Sequence, residues 1–316
     1  MSPSRWVPMV LFFGFLLTVP LWMTDAYILQ IVFRVVIFAT LGLAWNLVGG
    51  YAGQLSLGHV AYFGIGAYSV ALFHEHFAWN PWLGMAAGVG IACLSAVFIG
   101  TLTFRLRGPY FVLSTIAVAE IIRLLALNLS FTHGAIGMIA PGLFSEPNGD
   151  RKSYFAALPL LGLAFALGTW THDSRFGYSL RAIRENEDTA MAVGINPTVE
   201  KLKALVLSAA LVAAAGGIYA SVFQFIGPDS VLAIDMSVQM ALIVMLGGAA
   251  TVWGPVIGSV VLTVAAEGLK TILESAHLLV YGLLLVVVVL FLPGGVVSIF
   301  KQRLFKRRAQ NRAQAA

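Results

Sequence analysis

The chain has 316 residues, 59% of them hydrophobic and only 10% charged, with a formal net charge of +5. Soluble domains carry about 45–50% apolar and about 25% charged residues, so a soluble globular protein is excluded. Long apolar runs in place of alternating strands of about ten residues exclude an outer-membrane barrel, and the single cysteine, Cys93, excludes a disulfide framework or a cysteine-based metal cluster.

Apolar runs fall near 7–24, 27–48, 60–73, 82–104, 109–129, 154–171, 204–223, 235–250, 255–268 and 278–292. A membrane helix needs about 20 residues, so these runs predict an all-α polytopic membrane protein of about ten transmembrane helices. The first run follows Arg5 and precedes Thr24-Asp25-Ala26, which resembles a signal-peptide cleavage site. Its length, with Pro20 and Trp22 near its end, favours a retained first helix. Cys93 sits in the run 82–104 and reads as a small buried hydrophobe. The longest polar stretches are 130–153, read as an external loop, and 173–203, read as internal. No linker or soluble domain interrupts the spans, so residues 1–316 form one integral domain.

With 173–203 in the cytoplasm, ten spans place both termini inside. Arg5, Arg105, Arg107, Arg175, Arg181, Arg184, Lys201, Lys203 and the basic tail 301–316 then gather on the inner side. Only Arg151, Lys152 and Lys270 fall outside. That asymmetry is the positive-inside pattern. The excess charge therefore records topology and contact with anionic lipid, not nucleic acid.

Taken in chain order, the first motif is Gly49-Gly50-Tyr51-Ala52-Gly53-Gln54-Leu55-Ser56-Leu57-Gly58-His59. It is too polar and glycine-rich for a lipid-facing helix, and irregular backbone at membrane depth needs protein or a water cavity around it. It is either a broken helix lining a transport path, with Gln54, Ser56 and His59 as its polar groups, or a tight turn whose polar side chains are bonded inside the bundle. Arg34 lies roughly 10 Å from a helix end and is within reach of snorkelling. Gly84 and Gly88 form a GxxxG pair that marks a close helix crossing. Glu120 and Arg123, three apart in one span, read as a structural pair or as part of a substrate site.

The stretch Ser174 to Pro197 reads as one short surface helix closed by Gly194 in a left-handed cap. Asn196 then caps a new helix with Pro197 in its first turn, running through Lys201 and Lys203 into the next span. Mixed charge alone suits a solvated face. Rigid caps at both ends suit an element pushed as a unit, with Arg184, Glu187, Asp188 and Gly194 as its candidate working residues. Further on, Leu246 to Gly258 interrupts the second half as Gly49 to His59 interrupts the first, the pattern of an inverted-repeat transporter. Gly254 and Gly258 mark another close crossing.

The run Arg181-Ala182-Ile183-Arg184-Glu185-Asn186-Glu187, with Ala190 and Gly194-Ile195-Asn196, resembles the coupling segment of ABC-importer permeases for branched-chain amino acids. The Gly50–His59 and Gly247–Gly258 stretches resemble the same family's other two signatures. The resemblance extends over about residues 30–295, and Arg-Glu-Asn is closer to the LivM-type subunit than to its LivH-type companion. One departure is local: the general importer pattern Glu-Ala-Ala, three residues, Gly reads here Asp188-Thr189-Ala190 before Gly194, and its downstream hydrophobic-Pro element is missing. The resemblance implies a type II-importer-like bundle with interrupted helices and a cytoplasmic coupling helix, in a bacterial inner membrane. It implies two cytoplasmic ATP-binding subunits, a second, LivH-type permease subunit and an extracytoplasmic binding protein as partners. Leucine, isoleucine and valine are the family's default substrates, and related permeases carry urea, short amides or aromatic acids.

No catalytic residue, metal or cofactor is expected. The nearest approach to a phosphate-binding loop, Gly268-Leu269-Lys270-Thr271, has Leu between Gly and Lys and lacks the upstream glycine. A self-sufficient secondary transporter needs several carboxylates within spans, and Glu120 is the one clear candidate. An intramembrane serine protease on Ser56 and His59 lacks the leading glycine of a nucleophile elbow and any third orienting group.

Overall fold

A computed structural model describes residues 6–22, 25–144 and 149–272. The chain is mostly helical. Its helices are α1 (Trp6–Trp22), α2 (Ala26–Trp45), α3 (His59–Phe77), α4 (Pro81–Thr103), α5 (Pro109–Asn128), α6 (Gly149–Asp173), α7 (Arg175–Glu185), α8 (Glu187–Ala192), α9 (Pro197–Phe223), α10 (Pro228–Val231), α11 (Ile234–Gly247) and α12 (Gly254–Ile272). Among the described residues each predicted apolar run is helical over most of its length, the run 235–250 leaving its helix after Gly247. The last run, 278–292, and the basic tail 301–316 lie outside them.

Among the described residues six stretches are long and apolar enough to cross a membrane: Tyr27–Tyr51, Pro81–Thr103, Pro109–Asn128, Arg151–Asp173, Pro197–Phe223 and Pro228–Gly247. Local chemistry sets their starts. Asp25, Asn80 and Asn196 accept N–H bonds from Tyr27, Trp82 and Val199, and Pro81 and Pro197 occupy first helical positions where no N–H is missed. The Asn196–Pro197 cap is as expected. Between α5 and α6 the polar stretch read as a loop is partly structured. Its strand β1 (Met138–Ile139) pairs antiparallel with β2 (Phe225–Ile226), Met138 opposite Ile226.

The core is built around α9. Its 27 residues rise about 40 Å, and it packs against α3, α4, α2 and α6. Close approach is possible because the facing positions are small: a Cβ on Gly66 would overlap the Ala213 carbonyl, and one on Gly216 would overlap that of Phe63. Helices in a bilayer gain little from hydrophobicity, so backbone proximity and dispersion hold this contact. The Gly84–Gly88 crossing is where it was expected, against Val70 and Ser69 of α3. Cys93 is half-buried, its sulfur facing the Val206 carbonyl of α9.

Two expectations need correction. The single helix read between Ser174 and Gly194 is split in two at Asn186, whose backbone is extended and whose side chain accepts from the Thr189 N–H to cap α8. Asparagine competes with the helix for its own backbone bonds, which is why the break falls there. Arg34 does not simply snorkel: its guanidinium stands 3.5 Å from Glu267 of α12 and over the Phe223 ring. A carboxylate 233 positions away in sequence is invisible to a reading along one helix.

Candidate functional site

The first break begins where α2 widens into a π-helical turn over Asn46–Tyr51, after which residues 52–58 are irregular. Such turns leave backbone groups without helical partners. Here side chains take them up. The Ser56 carbonyl accepts from the Trp45 indole at 2.7 Å, and Leu57 N–H donates to Thr115 Oγ1 of α5 at 3.1 Å. Val60 N–H donates to Ser237 Oγ of α11 at 2.9 Å. His59 is fully buried, its ring nitrogens each 3.0 Å from a hydroxyl, Ser56 on one side and Ser208 of α9 on the other. The void beside Ser56 is about 10 Å³, room for at most one water. Ser56 and His59 are therefore bonded inside the bundle. Gln54 is half-buried and makes only a 3.5 Å contact to the Ala52 carbonyl, which leaves its amide the freest polar group of the break.

The second break follows α11. Gly248 and Ala250 both adopt positive φ, and Thr251 Oγ1 donates to the Gly248 carbonyl and accepts from Gly254 N–H. A Cβ at Gly247, Gly254 or Gly258 would overlap a backbone carbonyl, so only glycine fits at these crossings. The two breaks touch. Asn46, 1% exposed, accepts from Ala250 N–H and donates to the Thr251 carbonyl, both at 2.9 Å.

The segment α7–α8 joins the same place. The Arg184 guanidinium donates to the Gly50 carbonyl at 3.0 Å, and its stem lies on Gly53, where φ is +68. Arg181 donates to the His172 carbonyl and stacks over Tyr178. Glu187 is held at 2.8 Å by Lys201, whose ammonium is almost wholly buried and lies over the Phe104 ring. Asp188 is different: it is exposed and pairs with the equally exposed Arg107, whose pKa its hydrogen bond raises. Gly194 has φ +87 with open space around it, as a left-handed cap requires. Met191 and Val193 are exposed beside Glu185 and Asp188, so this end of the molecule presents an apolar patch edged with acid.

Glu120 stands apart from Gln54, Ser56 and His59. Arg123 binds it through two nitrogens at 3.0 and 2.6 Å and also reaches Asp229 in the first turn of α10 at 2.8 Å. Among the described residues no group of three or more His, Cys, Asp or Glu could hold a metal. Asn46, Thr115, Lys201, Ser208 and Ser237 were not singled out from sequence. The available signal was a lone polar residue in an otherwise apolar helix, as Asn46 is in its run and Ser208 in an alanine-rich one.

The family model for the branched-chain amino acid transport system permease component matches residues 27–289. The high-affinity branched-chain amino acid transport system permease protein LivM of Salmonella typhimurium is 28% identical over 308 residues, covering 89% of this chain and 72% of its own. The corresponding LivH protein of the same organism is 24% identical, covering 83% and 91%. A nucleoside ABC transporter permease protein, NupC, of Lactococcus lactis is 26% identical, covering 72% and 77%. No solved structure matches the chain.

Proposed function

As the chain belongs to the branched-chain amino acid transport system permease family, we propose that it is the LivM-type membrane subunit of an ATP-driven importer and passes a small amino acid delivered by an extracytoplasmic binding protein. The branched-chain amino acids are the substrates its relatives' names indicate. The nucleoside permease among its relatives marks selection as a property of each member. On this reading the chain is a single domain of about ten spans in the inner membrane, with α7–α8 and both termini in the cytoplasm. ATP is hydrolysed on two partner subunits, and a LivH-type chain completes the pathway. Of the candidate pathway groups Gln54, Ser56, His59 and Glu120, the half-buried Gln54 and the partly exposed Glu120 remain on this reading, because Ser56 and His59 are spent on bonds inside the bundle.

One observation carries the mechanism: the Arg184–Gly50 hydrogen bond, which ties the coupling segment to the first break. A displacement of α7–α8 by an ATPase acts on Gly50 directly. Asn46, one helical turn back, passes it to Ala250 and Thr251 in the second break. Both irregular segments then shift with one stroke.

The test is Glu185→Lys with Asp188→Lys. Both residues are exposed, and the Asp188–Arg107 surface pair is worth about 0–1 kcal/mol. The permease should insert and accumulate normally but fail to co-purify with its ATPases. Like-charge contact at an interface costs several kcal/mol, about 100-fold or more in affinity. Intact complex and intact uptake would sink the assignment of α7–α8 as the coupling element.

A further inference from the structure

A groove of about 620 Å³ opens between α4, α6, α7 and α9, away from both breaks. Its volume is that of a small-molecule site. Its lining changes character along its length. At the mouth stand Arg175 and Lys203, both exposed. Arg175 takes part in none of the ion pairs among the described residues, and Lys203 meets Glu200 at 2.7 Å while staying 56% exposed. Trp170 and Phe176 stack beside them, ring centroids 5.7 Å apart. Deeper, the walls are apolar, with Val97 of α4 facing Val206 of α9.

Depth decides the occupant. At 1.5 Å per residue, Val206 lies about 5 Å beyond Lys203, the last charge in α9, and Val97 about 9 Å from the end of α4. A soluble partner docked at the helix ends stays at the level of Lys203 and does not reach the uncharged turns beyond it. A molecule with an anionic head and an apolar tail does, and the stacked Trp170 sits at the level where indoles favour the membrane interface. The lining carries two cations against the single Glu200 carboxylate, a net attraction for one anionic group. We propose that this groove binds one anionic phospholipid, its phosphate between Arg175 and Lys203 and one acyl chain along Val97 and Val206. The site requires only that these helix ends lie at a membrane surface, so it goes beyond the transport reading and does not depend on it.

Photolabelling tests it. The full chain in phosphatidylcholine vesicles receives phosphatidylglycerol carrying a diazirine midway along an acyl chain, and adducts are mapped by mass spectrometry. Adducts should concentrate on the segments around Val97 and Val206. Neutralising both cations, Arg175→Gln with Lys203→Gln, should weaken binding of the probe roughly 30-fold, a little over fivefold per cation. The charge-keeping pair Arg175→Lys with Lys203→Arg should retain it. Val206→Phe, which fills the tail slot and leaves the mouth intact, should remove the adducts independently of the charges. Equal labelling by a phosphatidylcholine probe would reduce the groove to ordinary lipid contact and overturn the proposal. So would labelling unchanged in the neutralised chain, or a groove that crosslinks to a second protein in place of lipid.

Discussion

Replacing Glu187 by alanine leaves the Lys201 ammonium, 1% exposed, without the carboxylate that stands 2.8 Å from it. Breaking a buried pair from one side strands the other charge and costs about 3–5 kcal/mol. Breaking it from the other side is cheaper. Glu187 keeps 21% exposure, so in Lys201→Met its carboxylate can turn to water while the methionine packs on Phe104. Exchange of buried charges for apolar side chains of similar volume is often neutral or stabilising, so the double variant should melt within about 1 kcal/mol of the native chain. The single variants therefore should not add. For a chain this long each kcal/mol moves the midpoint by roughly 2 °C, so Glu187→Ala should lower it by about 6–10 °C and Lys201→Met by no more than about 3 °C. Fluorescence-monitored melting of the detergent-purified chain reads all three. If Glu187→Ala and Lys201→Met each move the midpoint by under about 1 °C, the level of an ordinary surface substitution, then Lys201 is solvated and the argument fails. The same geometry explains why Glu187 is unsuited to a docking test. Its loss releases α8 from α9 and disturbs any partner indirectly.

Asn46→Leu keeps the branched heavy-atom shape but leaves Ala250 N–H and the Thr251 carbonyl unpaired in a buried site, about 1–3 kcal/mol each. Melting should fall accordingly, and uptake should fall further than stability alone accounts for; native melting and native uptake together would show that the breaks move separately. Glycine-to-alanine changes should have opposite signs at two positions. Gly66→Ala drives a methyl into the Ala213 carbonyl and should cost at least about 1–3 kcal/mol. Gly90→Ala, exposed on α4 with nothing within 4 Å, should stabilise by up to about 1 kcal/mol. Midpoints that shift in the same direction would contradict the α3–α9 crossing.

Much of the molecule is legible along the chain because its causes are local. A bilayer demands that each span satisfy its own backbone, so apolar length alone locates helices such as α4, α5 and α9. Asn196 before Pro197, Asn80 before Pro81 and Gly194 at positive φ act within a turn of their own positions, and they announce helix ends without reference to anything distant. The two glycine-rich interruptions are visible for the same reason, since neither can sit in lipid as a continuous helix.

What each interruption touches is not local. Whether Ser56 and His59 line a path or bond inside the bundle depends on Thr115, Ser208 and Ser237, which arrive from three other helices. Arg34 finds Glu267, and Asn46 finds Ala250 and Thr251, across more than two hundred positions, with no spacing rule to predict either partner. The break at Asn186 was readable in principle, but its consequence, a Glu187 committed to a buried lysine, was not. The sequence by itself determined that the chain spans a membrane, where its helices run and where they must break, because the lipid acts on every residue through the same solvation rule. Only the tertiary structure decided that both breaks and the α7–α8 segment converge on Gly50 and Asn46, because a hydrogen bond is specified by the meeting of two surfaces and neither surface encodes the other.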